Sequence, residues 1–145
     1  MLAPRSIQEF MRRAIFTAAI LTGVLSAAGR AHAPAPSTVQ RPLNIGFVLY
    51  TKGDAPGTLT ARWRYTTEYS GTGVATGGPA EGFAGRYHVR YFDEHGKFSD
   101  EYDLVIERNG DFYTGSWLTK GKVSARGVGM KVQEGVAIGW RRITD

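Results

Sequence analysis

Between residues 45 and 143 an apolar side chain returns at every second position, in short runs broken by glycine, asparagine, aspartate or proline. A period of two belongs to β-strands with one buried face, and no stretch of useful length carries the helical period. Strands are predicted at 45–50 (IGFVLY), 58–66 (TLTARWRYT), 69–76 (YSGTGVAT) and 84–92 (AGRYHVRYF). Four more are predicted at 101–108 (EYDLVIER), 111–118 (DFYTGSWL), 122–130 (KVSARGVGM) and 136–143 (VAIGWRRI). The segments between them hold turn chemistry: KGDAPG, DEHG, Asn109–Gly110, Lys120–Gly121 and Glu134–Gly135. Asn109–Gly110 is the strongest hairpin signal, because a type I′ turn needs positive φ at both central residues.

Eight short strands with tight connections make an all-β, antiparallel up-and-down meander, and closure into a small barrel removes its exposed edges. An eight-stranded barrel is filled by side chains or holds one small ligand. The chain also echoes itself. EGFAGRY at 81–87 matches EGVAIGW at 134–140, each preceded by a glycine strand (GTGVA, GVGMK) and a tryptophan strand ending near Trp63 or Trp117. Two copies suit a barrel with a pseudo-twofold internal repeat.

The chain before this region reads differently. Arg12 and Arg13 are followed by twelve uncharged, mainly apolar residues, Ala14 to Leu25, and then by small residues. This is the pattern of a secretory signal, too short for a stable transmembrane helix. A signal over 1–33 is expected, cut after Ala28 or Ala33, with Met1 or Met11 as the start. A proline-rich linker over 34–43 and a β-barrel domain over 44–145 follow. The expected location is periplasmic or secreted, with no transmembrane anchor after processing.

Export also accounts for the charge. The chain carries 18 basic and 13 acidic residues, a formal +5. Arg5, Arg12, Arg13, Arg30 and Glu9 precede Pro34, which leaves 14 against 12, or +2, for the remainder. A near-neutral domain lacks the footprint of nucleic-acid binding. With no cysteine in the chain, thiol catalysis, thiolate-bound zinc and iron–sulfur clusters are excluded.

GTGVATGGPAEGFAG, from Gly71 to Gly85, holds six glycines and invites a phosphate-loop reading. A Walker loop needs a lysine, and none lies between Lys52 and Lys97. A dinucleotide fingerprint needs a third glycine where Thr76 stands and a helix where the strand GRYHVRYF follows. Neither motif fits, and no cofactor is expected. As a strand, Gly71, Gly73, Ala75 and Gly77 leave one face as bare backbone, against which a ring can lie or a barrel can bend. Ala125, Gly127 and Gly129 repeat the device. The expected ring donors are Trp63, Tyr65 and Trp117.

Alternation places Leu59, Ala61, Trp63 and Tyr65 on one face, Tyr87, Val89 and Tyr91 on another, then Tyr102, Leu104 and Ile106, then Tyr113 and Trp117, then Val136, Ile138 and Trp140. If these faces point inward, the interior is either a packed core with polar tips at the rim or a site for a small hydrophobic or aromatic ligand. The candidate ligand-binding residues are Trp63, Tyr65, Tyr87, Tyr91, Trp117 and Trp140. A binding function without catalysis is the leading reading. The alternative is a protein-binding or inhibitor module using the barrel rim and a basic outer face of Arg62, Arg64, His88 and Arg90. His88, Asp93, Glu94 and His95 are a candidate metal or acid–base cluster, although the last three also make an ordinary turn. Arg86, His88 and Arg90 are expected to face Asp103 and Glu107 as exterior pairs.

The run GTGVATGGPAEGFAGRYHVRYFDEHG, with YDLVIERNGDFYTGSW and GVGM, resembles a group of small exported bacterial β-barrel proteins without assigned function. The architecture is also similar to the calycin class of lipocalins and avidins. The lipocalin G-x-W is replaced by Ala61-Arg62-Trp63, and the avidin-type G-x-W-x-N is missing. Retinoid-like and biotin binding are therefore not implied.

Overall fold

The computed structural model describes residues 43–144. The expected leader over 1–33, and the linker over 34–43 apart from Leu43, lie outside the described residues. Eight strands form in the predicted order. They are β1 (Gly46–Lys52), β2 (Leu59–Tyr65), β3 (Tyr69–Thr76), β4 (Gly85–Asp93), β5 (Phe98–Asn109), β6 (Phe112–Thr119), β7 (Lys122–Lys131) and β8 (Val136–Arg142). Every neighbouring pair is antiparallel, and β1 pairs with β8 from Gly46↔Trp140 to Tyr50↔Val136, which closes the barrel. Closure leaves no strand edge free within the sheet.

The inward faces are those set by alternation, and β2 shows it most plainly with Leu59, Ala61, Trp63 and Tyr65 buried and the residues between them exposed. The barrel is filled at one end and open at the other. Leu59, Val89, Leu104, Ile106, Val136 and Ile138 pack the filled end as fully buried side chains. Its loops seal against one another through Gly78 N–H donating to the Gly57 carbonyl at 3.0 Å. The open end gathers the start of β1, the β2–β3, β4–β5 and β6–β7 turns, and the end of β8. Two β-bulges sit on that rim. Tyr91 pairs with Asp100 but Phe92 with Phe98, leaving Ser99 extra, and Trp117 pairs with Ala125 but Leu118 with Val123, leaving Ser124 extra. Bulges bend a strand and re-aim its side chains, which here shapes the mouth.

Several local expectations are corrected. Strand β5 starts at Phe98 rather than 101. The Asp93 carboxylate accepts the backbone N–H groups of His95 and Lys97, each at 2.9 Å, so the chain reverses within the DEHG turn and the bulge carries pairing onward. The Asn109–Gly110 turn is shifted by one residue. Asn109 pairs with Phe112, so the central residues are Gly110 and Asp111, and of these only Gly110 has positive φ (65°), as in a type II′ turn. The both-positive pattern of a type I′ turn occurs instead at Lys120 (51°) and Gly121 (76°).

The exterior β4–β5 pairs also differ. His88 lies opposite Asp103 and Arg90 opposite Glu101, but Arg86 faces Val105 and Glu107 faces Thr114 on β6. The long β5 strand runs past the start of β4, which puts Glu107 beyond its reach. The internal echo has a geometric basis. Trp63 pairs with Gly71, and Trp117 pairs with Ala125 four strands away around the barrel. The match between 81–87 and 134–140 is out of step, because the β3–β4 loop (77–84) is longer than the β7–β8 loop (132–135).

Candidate functional site

The open end holds a cavity of about 300 Å³, at the small end of the ~300–1,000 Å³ typical of ligand sites. Three tryptophans and four tyrosines line it: Trp63, Trp117 and Trp140, with Tyr65, Tyr69, Tyr91 and Tyr102. Asp100, Lys122 and Arg142 stand among the polar lining residues.

Bare backbone positions the rings. A side chain at Gly71 would meet the Phe92 carbonyl oxygen and the Trp63 ring, the latter at 2.9 Å. A side chain at Gly73 would meet the Tyr91 ring at 2.6 Å, and one at Gly46 would overlap the Trp140 indole. The predicted glycine strand therefore does receive Trp63. The other expected ring donors lie elsewhere. Tyr65 pairs with Tyr69, past the glycines, and its ring stacks on Trp140 with centroids 5.1 Å apart and planes at 11°. Trp117 lies over Gly115 of its own strand, where an added side chain would meet its ring at 3.0 Å. Gly127 and Gly129 instead allow the β8 backbone at Gly139 and Ala137 to approach closely.

The cavity floor is a hydrogen-bonded relay. Trp117 Nε1–H donates to the Tyr91 hydroxyl oxygen at 2.8 Å, and the hydroxyls of Tyr91 and Tyr50 lie 2.5 Å apart. Which phenol donates follows from burial. Tyr50 is 0% exposed and its other side-chain neighbour, the Trp117 indole, can only donate, whereas Tyr91 is 8% exposed and lines the cavity. Were Tyr91 to donate, the Tyr50 hydrogen would be orphaned inside the filled core, at a cost of about 1–3 kcal/mol. Tyr50 therefore donates to Tyr91, and the Tyr91 hydrogen is left for the cavity. Burial pushes the Tyr91 hydroxyl up to about 12, against partial lowering by its bonds to Tyr50 and Trp117. Burial also raises Tyr50 well above the ordinary range, so both phenols are protonated at neutral pH.

Further out, Tyr102 donates to Asp100 Oδ2 at 2.8 Å, and burial first, then the Asp100 charge, raise its pKa. Trp63 Nε1–H donates to the Thr72 carbonyl at 3.0 Å. Asn44 clamps the end of β8: its Nδ2–H donates to the Arg142 carbonyl at 3.0 Å, and its Oδ1 accepts the Arg142 N–H at 2.9 Å. The Arg142 guanidinium lies over the Tyr65 ring, 5.2 Å from its centroid.

Of the six aromatic residues singled out in the sequence, Trp63, Tyr65, Tyr91, Trp117 and Trp140 converge on this cavity. Tyr87 does not; its ring covers Gly78 near the filled end, and its hydroxyl donates to the Phe83 carbonyl at 3.0 Å. Tyr102 and Arg142 escaped selection, although each shares strand parity with residues assigned to the inward face. Tyr69 and Asp100 share parity with inward residues too, Tyr69 with Gly71 and Gly73 and Asp100 with Tyr102, but lie at strand ends. Lys122 precedes the β7 bulge and carried no such signal.

The four basic residues proposed for an outer face are all exposed on the outside of the barrel. Arg62 and Arg64 stand on β2, separated by β3 from His88 and Arg90 on β4. His88 lies 3.4 Å from Glu101 and 3.7 Å from Asp103, and Arg90 lies 3.8 Å from Glu101, all at exposed positions. His95 meets Glu94 at 3.5 Å on the exposed turn. Among the described residues no three histidine or carboxylate side chains gather as a metal site. Among them, too, no helix is long and apolar enough to cross a membrane. No known protein family, curated protein or solved structure matches the chain.

Proposed function

We propose that this protein is an exported, non-enzymatic carrier or sensor that holds one small, partly apolar ligand in the open end of its barrel. The observation that carries this reading is the cavity of about 300 Å³ walled by seven aromatic side chains in a barrel whose other end is solidly filled. A core built only for stability packs to the density of an organic crystal and leaves few voids larger than water. Here large rings, stacked and hydrogen-bonded at their polar ends, line a space they do not fill. The Tyr91 O–H supplies one hydrogen-bond donor at its floor. Export is supported by the signal-like pattern ahead of the barrel.

Calorimetric titration with planar aromatic, fatty-acid and sugar probes tests the reading, alongside an Ala125→Phe variant that fills the cavity from its wall. A true ligand at 100-fold excess over Kd raises the melting temperature by roughly 10 °C, and Ala125→Phe abolishes the binding. Binding that survives Ala125→Phe, or a panel without any binder, refutes the proposal.

A further inference from the structure

The mouth of the cavity carries a cation that the fold holds in place and that no carboxylate among the described residues pairs. The Asn44 side chain grips the Arg142 backbone from both sides, at 2.9 and 3.0 Å, and Tyr65 O–H donates to the same Asn44 oxygen at 3.4 Å. The guanidinium is folded back over the Tyr65 ring, which is itself stacked on Trp140. Its Nε is shielded from solvent and has no hydrogen-bond partner, and Arg142 makes no ion pair among the described residues. A guanidinium has five N–H donors and no acceptor capacity, and it is matched by a planar, two-oxygen anion.

The obvious internal partner is engaged elsewhere. Asp100 lines the same mouth, but its Oδ1 accepts the Glu101 N–H at 3.0 Å and its Oδ2 accepts the Tyr102 O–H at 2.8 Å. Lys122 also lines the mouth. The charge, orientation and unused Nε donor of the Arg142 guanidinium select an anion, while the walls select a flat apolar body.

We propose that Arg142 is the anion-recognition residue of this cavity and that the ligand class is a small aromatic carboxylate. Its ring lies among Trp63, Trp117 and Trp140, and its carboxylate is bound by the Arg142 guanidinium at the mouth. The assignment rests on the binding role of the cavity proposed above. The nearby Asp100 charge opposes the ligand's own, which limits affinity and makes the site tunable at that position.

The test uses a matched pair of probes, 2-naphthoate and its uncharged counterpart 2-naphthamide, titrated calorimetrically at neutral pH. The wild-type protein is expected to bind naphthoate about tenfold or more tightly than naphthamide. Arg142→Gln should remove that preference while leaving naphthamide affinity within about twofold, and Asp100→Asn should tighten naphthoate only. Equal wild-type affinity for the two probes overturns the anion assignment and leaves the binding role intact. A parallel loss of both probes in Arg142→Gln overturns it as well, because it shows Arg142 to be structural. If neither probe binds the wild-type protein, the aromatic-carboxylate assignment is overturned, and the wider probe panel decides the binding role separately. The wild-type pair and Asp100→Asn decide the question even where Arg142→Gln is unstable.

Discussion

Removing the Tyr91 hydroxyl should cost far more than removing the Tyr50 hydroxyl, although the two oxygens share one hydrogen bond. Tyr91→Phe takes the acceptor from the Trp117 indole N–H and from the Tyr50 O–H at once. Tyr50 is fully buried, so its orphaned hydroxyl bears the whole desolvation cost of about 1–3 kcal/mol. The Trp117 indole borders the cavity and recovers part of its loss from solvent, for a total of about 2–4 kcal/mol. Tyr50→Phe removes one donor and orphans nothing, since Tyr91 keeps the bond from Trp117; it should cost about 1 kcal/mol. The double variant should lose less than the sum of the two, because no buried hydroxyl remains to be stranded. Urea denaturation followed by fluorescence and far-UV circular dichroism measures all three through shifts in midpoint at constant slope. If Tyr50→Phe proves as costly as Tyr91→Phe, the shared hydrogen runs the other way and the cavity floor presents no donor.

The same phenols set an alkaline limit. Tyr91 is raised from 10 to about 12 in the folded protein, so its contribution is complete below pH 10 and is lost as pH rises towards 12. That loss amounts to about 2–3 kcal/mol, and the raised values of Tyr50 and Tyr102 steepen it. Stability measured from about pH 9 to 12 should hold to about pH 10 and fall from there, and a flat profile contradicts the buried, protonated relay. Two glycine substitutions should separate close approach from mere flexibility. Gly71→Ala drives a methyl group into the Phe92 carbonyl and the Trp63 ring and should cost about 1–3 kcal/mol. Gly139→Ala meets nothing nearer than the Val128 carbonyl at 3.8 Å and should be neutral or stabilising by up to about 1 kcal/mol. Equal melting temperatures for the two variants would show that Gly71 is not a packing position.

Some of the site was legible because strand geometry is local. A side chain two residues along lies on the same face whatever the strand meets, so Trp63, Tyr91, Trp117 and Trp140 could be assigned inward from the sequence. Tyr102 and Arg142 obey the same parity and were legible in principle. Arg142 reads as solvated because its charge suggests the surface, yet closure with β1 brings Asn44 and Tyr65 to it and turns the guanidinium over a ring. Ser99 and Ser124 depend on bulges that no local signal announced.

The period of two, the turn residues and the helix-free pattern thus determined the fold class, the number and order of strands, and nearly all of the inward faces. Each of these is decided within a few neighbouring residues. Only the tertiary structure decided that one end is filled and the other hollow, which ring covers which glycine, and that Tyr87 lies outside the cavity while Arg142 belongs to it. Those outcomes depend on register across strands and on the closing β1–β8 pair, where residues far apart in sequence meet at fixed offsets. A one-residue slip would turn every side chain to the opposite face, so such offsets are set by the whole ring of contacts together.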